Sequence, residues 1–195
     1  EDLRLPESQR ELLEAVCGCG KPVVVCVLTG SAVDLSFADE HANAVLQVWY
    51  PGAGGGKAAA ALLFGDCSPS GKLPVTFYRD PEGFPEFTDY SMKGRTYRYL
   101  EKEPLYPFGY GLTYTSFSYS DLEIEGDGIS AQDVENGAKV AVSFSVKNTG
   151  KAAGAEVAQL YVRDLCASSV KPLRELAGFE KVHLKPGESR RVTLY

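Results

Sequence analysis

The chain has few of the residues that usually announce a reactive centre. There are two histidines, one methionine and one tryptophan among 195 residues. His41 and His183 lie far apart, and neither stands in a base–nucleophile pattern. A Ser or Cys triad therefore has no support, and Ser70 is not in a G-x-S-x-G elbow. No apolar run reaches the roughly 18 residues of a membrane span, which excludes a helical anchor from the reading. No basic cluster is present and the net charge is −6, which argues against nucleic acid as a partner. A basic region followed by an apolar one is missing from the start, so no signal peptide is legible. The five cysteines are an odd number and form no paired C-x-x-C layout. Cys17-Gly18-Cys19 has no histidine nearby and reads as free thiols at a helix end, with no metal site. That usage points to a reducing compartment, the cytoplasm.

What remains is ordinary globular composition, 44% hydrophobic and 24% charged. Glu7 to Val16 reads as an amphipathic helix with Leu12, Leu13 and Val16 on one face; Pro6 suits its first turn, and Gly18 and Gly20 end it. Val23 to Leu28 is a β-branched run expected to be buried on both faces, as in a helix-covered parallel sheet. Thr29-Gly30-Ser31 leaves it at the carboxyl end, where α/β proteins bind ligands. Leu35 to Asn43 is a short helix and Ala44 to Trp49 the next strand. Then come Tyr50-Pro51-Gly52, a glycine turn to Gly56, a small-residue helix from Lys57 to Phe64, and Leu73 to Phe77 as a returning strand. The stretch from Ala44 to Phe77 is expected to be one βαβ unit. Its glycines lack the G-x-G-x-x-G or P-loop spacing, so no nucleotide and no cofactor is expected. They are read as bringing the helix close to the sheet.

Tyr78 to Gly111 is dominated by prolines and aromatics and reads as an extended segment packed over a surface. From Phe117 the period is two: Val140 to Val146, Glu156 to Val162, Arg174 to Leu184 and Arg190 to Tyr195 are strands, with turns at Asn148-Thr149-Gly150 and Lys185-Pro186-Gly187. About five strands are countable where a β-sandwich has about seven.

Four motifs in this order, Trp49-Tyr50-Pro51-Gly52 with the following glycines, Pro69-Ser70-Gly71-Lys72-Leu73-Pro74, Pro107-Phe108-Gly109-Tyr110-Gly111-Leu112, and Leu176-Ala177-Gly178-Phe179-Glu180, resemble glycoside hydrolase family 3. The resemblance implies a barrel domain, then a six-stranded α/β sandwich domain, then a fibronectin type III-like domain. This chain would hold the second half of the α/β sandwich domain (1–78), an aromatic connector (79–116) and a truncated fibronectin type III-like domain (117–195). The implied activity is retaining hydrolysis of terminal non-reducing β-linked sugars by two carboxylates about 5–5.5 Å apart. In similar sequences the nucleophile Asp is on the barrel. The acid/base Glu is on a loop shortly before the segment matching Asp2 to Pro6. Glu1 stands too close to that segment to take the role. Both catalytic groups are expected upstream of Glu1, and the isolated chain is expected to be inactive.

Within the chain, Arg95, Tyr97, Arg98 and Trp49 are the candidate substrate-binding residues. A β-glycoside or oligosaccharide is the expected substrate and the barrel domain the expected partner. For the arginines the alternative is structural: guanidinium groups stapling the connector. Asp39-Glu40-His41 reads as ordinary helix polarity, since adjacent helical residues point apart. A non-catalytic carbohydrate-binding or structural module is the alternative for the whole, and it would need rows of exposed rings; Phe144, Tyr161 and Phe179 are the rings the strands offer.

Overall fold

A computed structural model describes residues 3–79, 85–86, 88–126, 128–166, 169 and 171–195. The chain divides into two compact units, Glu1–Phe64 with Leu73–Tyr110, and Gly65–Lys72 with Gly111–Tyr195.

In the first unit, helix α1 (Glu7–Cys17) leads to strand β1 (Val24–Val27), helix α2 (Ser36–His41) and strand β2 (Ala44–Gln47). The strands pair in parallel, Val24 opposite Ala44 and Val27 opposite Gln47. Asn43 fixes where they start. Its Oδ1 accepts from Val23 N at 2.8 Å and its N donates to Val23 O at 2.9 Å. The core gathers Val27, Leu35, Ala38, Phe77 and Leu105, with Trp49 and Tyr106 packed against it. Gly52–Gly54 is one 3-10 turn, which runs into helix α3 (Gly55–Leu63); the connector contributes a single helical turn, α4 (Thr96–Tyr99).

Four expectations are corrected here. First, β1 is not buried on both faces. Val23 and Val27 are buried, whereas Val24 and Leu28 are 45% and 59% exposed. The run is continuous in sequence, but β1 belongs to a sheet of two strands, and among the described residues only one face has a covering layer. Of the predicted face of α1, only Leu13 packs on the core, while Leu12 and Val16 are exposed.

Second, the βαβ unit is β1-α2-β2 and not Ala44 to Phe77. Leu73 to Phe77 is no strand of the parallel sheet. It runs beside Tyr106 to Tyr110, with Leu73 N to Tyr110 O at 2.8 Å and Gly109 N to Leu73 O at 2.7 Å. Phe77 and Tyr106 exchange both backbone bonds, at 2.9 and 3.1 Å. These bonds fall in two short patches, at Leu73 and at Phe77. Third, the connector is not simply extended, because Thr96 to Tyr99 coils into a turn of helix. Fourth, the glycine turn does not draw α3 onto the sheet. Only Gly55 of that helix is buried, and a Cβ there would meet Pro51 Cγ at 2.3 Å, within its own turn. Gly52 has φ +64°, which favours glycine, while Gly54 and Gly56 face open space.

The second unit holds strands β3 (Phe117–Glu125), β4 (Ala141–Asn148), β5 (Gly154–Val162), β6 (Glu175–Leu184) and β7 (Ser189–Leu194), with a short helix α5 (Ala131–Glu135). One sheet has the order β3-β4-β7 and the other is β5-β6, all antiparallel. The alternation read in the sequence puts Val142, Phe144 and Val146 inward from β4, against Val182 and Leu184 of β6 and Val192 and Leu194 of β7. Helix α5 lies outside the strands counted from sequence. Its capping box, Ser130 with Asp133, is a legible start signal.

Residues 65–72 belong with these strands. Lys72, from the Pro69–Pro74 motif, donates to Gly111 O at 2.9 Å and pairs with Glu156 at 3.4 Å. Glu156 also accepts from the Tyr119 hydroxyl at 3.1 Å, so one carboxylate of β5 ties β3 to this segment. Fully buried Asn148 closes the far end of β4. Its Nδ2 donates to Ala152 O and Leu184 O at 2.9 and 3.0 Å, and its Oδ1 accepts from Thr115 Oγ1 and Gly150 N at 2.7 and 3.0 Å.

Candidate functional site

A cleft of about 520 Å³ opens in the first unit, where the chain leaves β1 at Gly30 and Ser31. The carboxyl end of a parallel strand was the expected place for a site. Its position follows from three local features. Gly30 leaves room for a ring: a Cβ there would stand 2.6 Å from Tyr50 Cε2. Tyr50 reaches it because Trp49 turns the chain with φ 59° as it leaves β2. On the other side the connector folds back, and Tyr78 and Thr96 meet, with Thr96 N donating to Tyr78 Oη at 2.8 Å.

Strain is concentrated at this rim. Met92 and Thr96 both line the cleft and both have positive φ, 62° and 56°. Such conformations cost a bulky or β-branched residue of order 1–3 kcal/mol and persist only where surrounding contacts hold them. The Tyr78 bond is one of those contacts. Tyr97 stacks on Phe108, with centroids 4.2 Å apart and planes 14° apart, and together they form an aromatic wall. Burial pushes the Tyr78 phenol up, against smaller opposing effects of its Thr96 bond and the Arg95 charge, so it stays neutral and serves as a hydrogen-bonding post.

The four candidate binding residues are divided by the fold. Tyr97 and Arg98 line the cleft; Arg95 and Trp49 are not among its lining residues. Trp49 packs edge-on to Phe77, at 6.3 Å and 62°, within the core cluster. Arg95 donates to the backbone carbonyls of Pro85 and Glu86 at 3.1 and 2.7 Å. It thus staples the connector, as the structural alternative has it, through backbone carbonyls. Glu1 lies outside the described residues, as do Phe84 and Phe87 of the aromatic run. The sequence reading overlooked Met92 and Thr96. Gly94 between them, itself at φ 72°, was the available sign of a tightly bent segment.

Among the described residues no second centre competes. Asp39 accepts from the Tyr106 hydroxyl at 2.6 Å, and His41 stacks on Phe37 at 4.1 Å. Burial and the Asp39 carboxylate push the Tyr106 phenol far above its ordinary range. Among the described residues no group of three His, Cys, Asp or Glu side chains is placed to hold a metal ion. Of the three sandwich rings named from the sequence, Phe144 is buried, Tyr161 is half-buried and Phe179 is 65% exposed, so these three do not form a row of stacking platforms.

The sequence profile of the glycosyl hydrolase family 3 C-terminal domain matches residues 1–114, and that of the fibronectin type III-like domain matches residues 156–195. The chain belongs to glycosyl hydrolase family 3. Among family relatives it is 41% identical over 204 residues to a periplasmic β-glucosidase of Salmonella typhimurium, covering 98% of this chain and 26% of that protein. It is 43% identical over 192 residues to a xylan 1,4-β-xylosidase of Xylanibacter ruminicola, covering 98% and 21%. β-Glucosidase 3B of Thermotoga neapolitana superposes with a TM-score of 0.84 at 35% identity, over 99% of this chain and 29% of that one. The chain therefore corresponds to the C-terminal part of family 3 enzymes, the second half of the α/β domain and the fibronectin-like strands.

Proposed function

We propose that this chain is the C-terminal part of a retaining β-glycosidase that releases terminal β-linked sugars from non-reducing ends. The supporting observation is the 41–43% identity to a β-glucosidase and a β-xylosidase across 98% of the chain, which spans only 26% and 21% of those relatives. On this reading the nucleophile and the acid/base carboxylate stand on the remaining polypeptide. The α/β part (1–78) and the aromatic connector (79–116) form a wall beside the substrate, and the fibronectin-like part (117–195) is a non-catalytic domain of the same enzyme. Tyr97 and Arg98 are the residues of this chain nearest to a sugar-facing rim, with Trp49 and Arg95 holding the rim from behind.

The test is turnover of 4-nitrophenyl β-D-glucoside and β-D-xyloside by the 195-residue chain and by the full coding sequence from the same gene. Hydrolysis by the full product with none by the chain alone supports the reading. Turnover by the chain alone refutes it, since a two-carboxylate reaction would then be running on residues 1–195.

A further inference from the structure

The cleft beside Gly30 has walls that are mostly apolar. Val75 and Met92, on opposite segments of it, are 37% and 40% exposed. Its one deeply buried hydroxyl, Thr76 Oγ1, has no hydrogen-bond partner but is closed off from solvent, so it offers nothing to a visiting ligand. Beside Thr76, the lining has polar side-chain atoms at Ser31, Tyr78, Tyr97, Thr96 and Arg98 amid a mostly apolar surface, and each sugar hydroxyl buried against the apolar part would cost about 1–3 kcal/mol. An apolar side chain on a peptide segment suits such walls far better. Leu3 forms one end of the cleft, and its carbonyl accepts from Asp34 N at 2.6 Å, which fixes where the backbone arrives. The family relatives are about four times longer than this match, with 26% and 21% of their lengths covered.

We propose that the cleft is the seat of the polypeptide leading into Leu3 in the intact enzyme, held by an apolar side chain lodged between Val75, Met92 and Phe108. This rests on the reading of the chain as the C-terminal part of a longer glycosidase. It gives Met92 and its strained neighbour Thr96 a positioning role. They shape a seat for the segment on which the family resemblance sets the acid/base glutamate.

Met92 is the only methionine in the sequence, so the seat can be footprinted. Peroxide converts an accessible thioether to the sulfoxide by adding one oxygen, the peroxide being reduced to water. The chain would be extended upstream by its own coding sequence, or by the segment preceding the match in the Salmonella typhimurium relative, and compared with a scrambled extension. Oxidation is read by mass on the peptide containing Met92. The native extension should slow it about ten-fold over the scrambled one, because tethering makes docking intramolecular. Val75→Asp should restore the fast rate in the extended chain. Equal rates for native and scrambled extensions, or protection indifferent to Val75→Asp, overturn the proposal. So does protection of the unextended chain by 4-nitrophenyl β-D-glucoside, which would make the cleft a small-molecule site. If the full enzyme hydrolyses the glucoside while the extension gives no protection, the seat fails and the glycosidase reading stands.

Discussion

Asn148→Asp changes one NH2 into oxygen and nothing else in shape. In the second unit that atom is the donor to Ala152 O and Leu184 O, on a side chain with no exposed surface. The opposite oxygen keeps its bonds from Thr115 Oγ1 and Gly150 N. A charged carboxylate would aim an anion at two carbonyls, so the folded variant should hold the new carboxyl protonated, with a folded pKa above the ordinary value of about 3.9. A protonated acid can donate to one carbonyl but not to both. At pH 4 the cost is then one missing hydrogen bond, about 1–3 kcal/mol. Above pH 4 the raised pKa adds about 1.4 kcal/mol per pH unit, because the unfolded chain ionises while the folded one does not. The sign is that of a raised pKa: the variant is closest to the parent below the unfolded pKa and falls behind as pH rises toward the folded one. At pH 7 the added penalty approaches about 4 kcal/mol if the acid is still neutral, a large part of the roughly 5–15 kcal/mol that holds a domain together. Amide exchange in β4 and β6, read peptide by peptide from pH 4 to 7, measures this directly. Asn148→Ala is the control: it loses all four side-chain bonds, so its deficit is larger at pH 4, but it adds no titratable group and that deficit should be flat with pH. A deficit for Asn148→Asp that is equally flat, or below about 1 kcal/mol throughout, would refute the reasoning.

Lys72→Met should destabilise the second unit by about 2–4 kcal/mol in urea unfolding, because it strands the Glu156 carboxylate at 15% side-chain exposure. Adding Glu156→Gln should recover much of that loss, and no recovery would show that the pair is not coupled. Tyr119 titrates well above its ordinary value, from burial and then the Glu156 charge, and Tyr106 does so from burial and the Asp39 bond. Their contribution is therefore complete below about pH 10 and is lost above it. Tyrosinate absorbance at 295 nm should rise for these two together with alkaline unfolding, and Tyr119→Phe should remove one of the late-titrating groups. Gly111→Ala should cost about 1–3 kcal/mol, because its Cβ would stand 2.2 Å from the backbone oxygen of Gly71. Gly30→Ala should cost less: the Tyr50 ring it meets at 2.6 Å is 78% exposed and can swing aside.

Legibility followed how local the cause was. Period-two burial is a property of the strand itself, and Val142, Phe144 and Val146 announced the inner face of β4. Helix α1 declared its start through Pro6. The errors arose where one stretch depends on a distant one. Val23 to Leu28 is apolar at every position, yet exposure is set by how many layers lie against it, and Val24 and Leu28 are left open. Leu73 to Phe77 has strand composition, but its partner is Tyr106 to Tyr110 in the connector, a pairing that no short-range pattern encodes.

The same distinction explains why the motifs identified the family while saying little of the site. Tyr50 matters because Gly30 leaves it space, and the two are twenty residues apart in sequence. Gly111 matters because the Gly71 carbonyl passes against it, which joins two motifs at one tight backbone contact. Lys72 lies in one motif, but its partners are Gly111 of another and Glu156 of a strand. Each of these motifs is therefore one side of a close approach whose other side is elsewhere in the chain. That accounts for Tyr50, Gly111 and Lys72, while Gly54 and Gly56 of the first motif face open space. The cleft breaks this pattern. Val75 and Met92 face outward with no partner among the described residues that would account for their exposure, and Thr96 holds a strained conformation beside them. Tyr50, Gly111 and Lys72 find their counterparts among the described residues, whereas no described residue covers Val75 and Met92, and it is there that the upstream polypeptide proposed above should make contact.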